Sequence, residues 1–488
     1  VVDEIVRTKG LLVGGKWVAG EREIEVRNPA STEEVVGICS AASARQAEAA
    51  IEAAWQAFPA WSRMNIEERA NILTQAVQPF MGAMQELGRL LTREQGRVLS
   101  EATLVILAPV MIVGSTAGIA SQLAEPVTIS DDRGWMMVRK EPVGVVSCIT
   151  PWNYPIFLTW APVASALIAG NTVVIKPSSY TPLTVAKTME IVADLLPPGV
   201  INLVPGSATE VGRVLTTHSR VRMVSFTGSC DTGTQVMIDA AATKKKLNLE
   251  LGGNDAAIVL PDVDWSQDTF SRLCRGVYMN TGQVCMAIKR IYVHESIFQK
   301  FVDAFIDVAS QIVVGNGLDE RSQMGPLNNA EQLNKVTELV KEAERRGAKV
   351  VQTGKKLDPS AFKRGYFHLP TIITGADASF GIVNQEQFGP AIPIMPFKDD
   401  EEAIRLANDT PFALGSSVWT TDEERGVKIA VQLEAGYTWI NQHSVLALEP
   451  AGPYGGWKES GLGRTYGLEG LQYYTETHVI VNKKPMAI

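Results

Sequence analysis

A thiol and a carboxylate stand 35 positions apart in this chain, Cys285 in the run NTGQVCMAIKR and Glu250 in the run LNLELGG. An ionised thiol attacks a carbonyl carbon, and a carboxylate that takes a proton from water makes that water a nucleophile. The two groups together suffice to capture an aldehyde covalently and to hydrolyse the resulting thioester. A lone cysteine is more often just a small buried hydrophobe. Here the setting differs. Glu250 ends the alternating stretch Leu247, Leu249, Leu251 and is followed by Gly252 and Gly253, which predicts a strand running into a tight turn. Cys285 follows Asn280, Thr281 and Gly282 and precedes Ile288, Ile291, Tyr292 and Val293, so it sits where a turn enters a strand. Turns on a rigid scaffold are where catalytic groups concentrate.

The elements that must position this pair follow from the apolar pattern. From about residue 142, the runs VGVVSCI (143–149), TVVIK (172–176), INLVP (201–205) and RMVSF (222–226) are short and β-branched. The stretches between them are long enough for crossover helices, which predicts a parallel, doubly wound sheet buried on both faces. Ligands of such sheets bind at the carboxyl ends of the strands, here TPWN (150–153), KPSS (176–179), PGS (205–207) and TGSCDTG (227–233). A second α/β run starts near Asn254 and continues to about residue 450, with the domain junction at the turn after Glu250. Residues 126–140 read as a hairpin inserted before the first sheet, and 473–484 alternate as a strand. The first 120 residues are rich in helix signals: Ser43 with Gln46 and Asn65 with Glu68 fit N-caps, Pro79 interrupts, and Gly96 closes the tract.

Length and composition agree with a multidomain enzyme. At 488 residues the chain exceeds one compact core, and 45% apolar with 20% charged residues excludes extensive disorder. A net charge of −8 gives no electrostatic case for nucleic acid or an anionic membrane. The longest apolar stretches, such as Leu104 to Val113, fall short of the roughly 20 residues that a spanning helix needs. The segment Val1 to Gly10 has no signal-peptide pattern. Five cysteines without a CxxC pair and five histidines without HExxH favour a reducing, cytoplasmic location and no metal site.

In chain order, PWNYP (151–155), KPS (176–178), FTGS (226–229), LELGG (249–253), GQVC (282–285), EQFGP (386–390) and PYGGWKESGLGR (453–464) resemble the signature blocks of the aldehyde dehydrogenase superfamily. The resemblance covers nearly the whole chain. It implies Cys285 as nucleophile, Glu250 as the base that activates water, and Asn153 as the amide that, with the Cys285 backbone N–H, stabilises the oxyanion. Family members that pass the acyl group to coenzyme A generally lack the carboxylate, so a free acid is the expected product. For the NAD(P) coenzyme, the resemblance implies ribose contacts from Lys176 and Glu386 and apolar walls from Phe388 and Trp152. It also implies a helix start at Gly228 and Ser229 that faces the pyrophosphate. Ile149, Gly212, Phe226 and Leu251 complete the expected coenzyme contacts. The GxGxxG fingerprint is absent after the first predicted strand.

Two departures bear on specificity. Where NAD-preferring members often carry a glutamate for the adenosine ribose, this chain has Ser179, and Arg213 is expected nearby, so the expected coenzyme is NADP or NAD, with Ser179 favouring acceptance of NADP. The positions of the two arginines that hold the distal carboxylate in succinic semialdehyde dehydrogenases are Ala161 and Met279. The expected tunnel residues, Tyr154, Leu158, Ala161, Val284, Met286 and Leu446, are uncharged, which favours an uncharged aliphatic or aromatic aldehyde. A polar or charged semialdehyde is the alternative substrate, and a retired binding protein on the same fold the alternative class. The expected fold is α/β with three parts: a doubly wound dinucleotide-binding domain (1–122 and 142–251), an α/β catalytic domain (252–465), and a β bridging element (123–141 and 466–488). The resemblance implies that this last element pairs subunits in a homodimer or homotetramer.

Overall fold

A computed structural model describes residues 5–485. Val1 to Glu4, and residues 486–488 of the expected bridging element, lie outside the described residues. Two large sheets organise the chain. The first has eight strands, in the order Gly461–Leu462, Lys246–Glu250, Val221–Thr227, Val145–Ile149, Thr172–Lys176, Ile201–Leu203, Leu11–Val13, Lys16–Val18. Its five central strands are parallel. Chain order runs outward in one direction from Val145–Ile149 and in the other from Val221–Thr227, so the switch point lies between those two strands. A crevice must open beside their carboxyl ends, where Thr150–Asn153 and Gly228–Ser229 lie. The β-branched runs lie at the expected places because both faces are covered: every residue of Thr172–Lys176 is buried.

The second sheet has seven strands, with Asp255–Val259 and Ile288–His294 at its centre and parallel to each other. The expected hairpin is Val127–Asp131 with Gly134–Pro142, and the C-terminal strand Thr475–Lys483 pairs antiparallel with its second arm in a separate three-stranded sheet. Val127, Ile129, Val479 and Val481 are exposed on that sheet.

The N-terminal portion departs from its helix-rich reading. Five strands precede the first helix, and two of them, Leu11–Val13 and Lys16–Val18, extend the coenzyme-side sheet. They form a two-residue hairpin through Gly14 (φ 62°) and Gly15 (φ 78°), both in the left-handed region that such turns demand. Of the helix signals, Ser43 and Gln46 make a reciprocal capping box and Gly96 closes its helix at φ 103°, while Asn65 caps its helix by accepting from Glu67 N–H rather than by the expected reciprocal pairing with Glu68. The apolar run is also longer than expected. Leu99–Gly118 has 20 residues and contains an 18-residue window at a mean hydropathy of 1.7, enough by length and composition to cross a bilayer. It breaks at Ile106 and Leu107 into Leu99–Val105 and Ala108–Gly118, and the second half packs on the helices Ile66–Val77 and Pro155–Ile168.

Candidate active site

Cys285 lies on a turn whose backbone is strained. Asn280 (φ 51°), Thr281 (φ 60°) and Gly282 (φ 73°) follow one another in the left-handed region, which costs energy at the two residues that carry a Cβ. Side chains hold them there. Asn280 Nδ2 donates to the carbonyls of Asn153 (3.0 Å) and Gln283 (3.2 Å), Thr281 Oγ1 donates to Gly325 O (3.1 Å), and Gln283 Oε1 accepts from Asn328 N–H (2.8 Å). A Cβ on Gly282 would meet the carbonyl oxygen of Gly389 at 2.4 Å, so this turn presses against the EQFGP loop, where Phe388 also has a positive φ of 53°.

Burial pushes the Cys285 thiol up to about 12. The ammonium of Lys289 opposes that rise, and the carboxylates of Glu386, Glu250 and Asp255 add to it. Lys289 is fully buried, donates to the carbonyls of Val284 (2.9 Å) and Cys285, and stands 3.5 Å from Glu386 Oε1. Glu386 in turn accepts from the N–H of Gly253 (3.0 Å), just beyond Glu250. A single lysine therefore ties together the Cys285 turn, the EQFGP loop and, through Glu386, the turn after Glu250. In front of the sulfur, the Tyr454 hydroxyl lies 4.0 Å from Sγ.

Glu250 ends the strand Lys246–Glu250, as its sequence context predicts. Its Oε1 accepts from Thr465 Oγ1 (3.2 Å), while Oε2 is enclosed with no partner among the described residues. Enclosure raises its pKa to about 8, with the Thr465 hydrogen bond and the charge of Arg464 opposing the rise. A carboxyl in that range can both take and release a proton near neutral pH. Asn153 follows the strand Val145–Ile149 and is buried; its Nδ2 donates to Gln283 O (3.0 Å), which leaves one amide hydrogen free. Its own carbonyl accepts from Arg97, whose guanidinium also lies 4.1 Å over the Tyr154 ring. Arg97, Lys289, Tyr454 and Thr465 all escaped the sequence reading.

A cleft of about 460 Å³ opens at the switch point, lined by Trp152, Gly228, Ser229, Leu251, Glu386 and Phe388, and Cys285 lies at its end. Ser229 caps the helix Cys230–Ala241, so that helix's first amides face the cleft. The cleft is shaped for close backbone approach: a Cβ on Gly252 would meet Glu386 Oε2 at 2.5 Å, and one on Gly228 would meet the Phe226 ring at 2.5 Å. These features fit a dinucleotide. The other expected coenzyme residues gather around the next strand end. Ile149 pairs with Lys176 across the sheet, the Lys176 stem runs beside Gly212, and Ser179 Oγ donates to Gly206 O (3.4 Å). Burial lowers Lys176 to about 8. Arg213 is exposed, and the nearby acid Glu210 is already paired with Arg22 (2.8 Å).

On the other side of Cys285 the walls are apolar. An inner chamber of about 40 Å³ is lined by Tyr154, Leu158, Ala161, Val284 and Met286 together with Cys285 and Glu250. It leads to an outer one of about 140 Å³, where Leu446 stands at the mouth, 55% exposed. All six expected tunnel residues are thus brought together. Phe157, Tyr466, Met111 and Leu448 join them, and among the described residues no lysine or arginine lines either chamber. Met279 lies elsewhere, on a separate open cavity beside Trp265 and Arg275.

The profile of the Aldehyde dehydrogenase family matches residues 17–480. Succinate-semialdehyde dehydrogenase, mitochondrial, of Oryza sativa is 36% identical over 482 residues, spanning 98% of this chain and 89% of that one. Betaine aldehyde dehydrogenase of Bacillus subtilis is 35% identical over 491 residues, spanning 98% of each. The crystal structure of betaine aldehyde dehydrogenase from Staphylococcus aureus in complex with NAD+ superposes with a TM-score of 0.93 at 35% identity, over 99% of this chain and 96% of that one. Whole-length identity and whole-length superposition agree with the cleft and its cysteine: the chain belongs to the aldehyde dehydrogenase family and is an NAD(P)-dependent oxidoreductase acting on aldehydes.

Proposed function

We propose that this enzyme oxidises an uncharged aliphatic or aromatic aldehyde to the free carboxylic acid, with Cys285 as nucleophile, Glu250 as general base and Asn153 as oxyanion donor. One observation carries the reading: Cys285 and Glu250 line a single chamber between the coenzyme cleft and an apolar tunnel. The Cys285 thiolate attacks the carbonyl carbon, and the oxygen's developing charge is met by the free Asn153 amide hydrogen and the Cys285 backbone N–H. When bound, NAD(P)+ would supply the hydride acceptor, and the residues that would hold it are Trp152, Gly228, Ser229, Leu251, Glu386 and Phe388, together with Ile149, Lys176, Ser179, Gly212, Arg213 and Phe226. Once the carbon has lost hydride, Cys285 carries a thioester. Glu250 takes a proton from water as that water attacks, the C–S bond breaks, the acid leaves and the thiolate is restored.

The tunnel supports an uncharged tail over a carboxylate-bearing one, since a carboxylate buried there would lose its hydration without gaining a cationic partner among the described residues. Exposed Ser179 and an Arg213 with no acidic partner among the described residues support NADP over NAD. A coenzyme domain of 1–122 and 142–251, a catalytic domain of 252–465 and a bridging element of 123–141 and 466–488 complete the proposal. The exposed apolar residues of the bridging sheet favour a homodimer or homotetramer, and the unpaired cysteines a cytoplasmic setting. A panel of aldehydes assayed with NAD and NADP in parallel, with Cys285→Ala as control, tests the whole. Faster turnover of succinic semialdehyde than of hexanal or benzaldehyde overturns the substrate class. A tenfold or greater advantage for NAD overturns the coenzyme preference. An inactive wild type that Cys285→Ala matches overturns the enzyme itself.

A further inference from the structure

An isolated antiparallel bridge joins Tyr454 to Thr465, each N–H donating to the other's carbonyl at 2.7 Å. Directly opposed residues of such a bridge send their side chains to the same side. Thr465 Oγ1 reaches Glu250 Oε1 at 3.2 Å, and the Tyr454 hydroxyl reaches Cys285 Sγ at 4.0 Å. One short bridge therefore delivers one hydroxyl to each member of the thiol–carboxylate pair. The Tyr454 ring is buried and packs against Tyr437 (6.2 Å between centroids) and Tyr466 (6.5 Å). A phenylalanine would make the same ring contacts. The hydroxyl is what requires a reason, because it is buried and Sγ is its one hydrogen-bond partner among the described residues.

We propose that Tyr454 is a catalytic hydrogen-bond donor to Cys285, an inference that rests on Cys285 being the nucleophile. In the thiol form either atom can donate. Once the sulfur is ionised only the phenol can, so the contact favours the thiolate before attack and again when sulfur leaves the thioester. Tyr454 keeps its own proton throughout, consistent with burial that raises its pKa well above the usual phenol range. The site has a need for such a donor. Glu250, Asp255 and Glu386 all disfavour a second negative charge at Cys285, and the one cation that offsets them, Lys289, is shared with Glu386 and lies behind the backbone carbonyls. Tyr154 and Tyr466 also face the sulfur from the tunnel, and burial keeps both phenols protonated. Tyr454 alone among these tyrosines has its hydroxyl within hydrogen-bond range of Sγ. Such contacts tighten when substrate closes the site.

The test is Tyr454→Phe in the full-length enzyme, read by the pH dependence of iodoacetamide inactivation alongside kcat/KM for a good aldehyde. Loss of the donor should raise the apparent pKa of inactivation by about one and slow inactivation at pH 8 by about tenfold. It should also lower kcat/KM by about tenfold or more, with the melting temperature little changed. An inactivation profile that superimposes on wild type overturns the assignment. Cys285→Ala separates the two readings. If it retains wild-type turnover, the nucleophile assignment fails and this inference with it. If it is inactive while Tyr454→Phe reacts like wild type, only the role of Tyr454 fails.

Discussion

Glu250→Gln gives the sharpest view of the proposed second half-reaction. With its carboxyl raised to about 8, Glu250 is ionised in about one molecule in ten at pH 7 and about nine in ten at pH 9. If hydrolysis of the thioester limits turnover, kcat should climb by nearly tenfold across that interval, on a limb centred near pH 8. The glutamine keeps the size of the side chain and can still accept from Thr465, but it cannot take a proton from water. Stopped-flow measurement of nicotinamide reduction should then show a burst of about one equivalent per Cys285, followed by a steady rate ~10²- to 10⁴-fold below wild type and flat in pH. Stability supplies an independent sign. The folded state holds this proton more tightly than the unfolded chain, whose carboxyl titrates near 4.5, so its contribution is fully present below that pH and is lost as pH rises through about 8. Glutamine does not titrate, and the melting temperature of Glu250→Gln relative to wild type should therefore rise between pH 6 and 9. A limb near pH 8 that survives in the variant, or full turnover by the variant, would refute the assignment of Glu250 as the base.

Three further outcomes follow from the same contacts. Thr465→Val removes the hydroxyl that holds Glu250 below its fully desolvated pKa, so the acid limb of kcat should move to higher pH, with activity recovered there; an unmoved limb contradicts it. Lys289→Met strips the cation behind Cys285 and leaves Glu386 without its partner, so iodoacetamide inactivation should slow, the KM for coenzyme should rise, and unfolding free energy should fall by about 3 kcal/mol in a denaturant titration. Unchanged coenzyme KM would mean that Lys289 does not orient Glu386. Ser179→Glu sets a carboxylate where a 2′-phosphate is proposed to bind and should raise the NADP to NAD ratio of KM by at least about tenfold, a change that parallel titrations of the two coenzymes would detect.

What the sequence disclosed and what it withheld divide along a physical line. Cys285 and Glu250 stood out as candidates because each combines a reactive side chain with a local break in pattern, a turn or a strand end, and such breaks survive in one dimension, whereas Asn153 stood out only through the family resemblance. The Leu11–Val13 and Lys16–Val18 hairpin was missed although Gly14 and Gly15 marked its turn, because three-residue strands are too short for alternation to register against the helix signals beside them. Tyr454, Thr465, Lys289 and Arg97 belong to a different class. Their side chains have no chemistry that singles them out, and three of them make contacts across long separations, 169 residues from Tyr454 to Cys285, 215 from Thr465 to Glu250 and 56 from Arg97 to Asn153, whereas Lys289 donates to carbonyls only four and five residues before it. In sequence, Arg97 looks like the charge that follows a helix-closing glycine, and Tyr454 like one aromatic in a glycine-rich loop. Only the fold brings that loop over the strand ends, and it does so through a single bridge whose two hydroxyls meet a thiol and a carboxylate. The pair is proposed to fix which chemistry is available; burial sets the direction of both pKa shifts, and at Glu250 it is Thr465 and Arg464, from far along the chain, that oppose the rise. A substitution at Arg464, which lines neither chamber, should therefore alter the pH dependence of turnover more than the range of aldehydes accepted, whereas one at Tyr454 or Thr465, both of which line the inner chamber beside Glu250, should alter both.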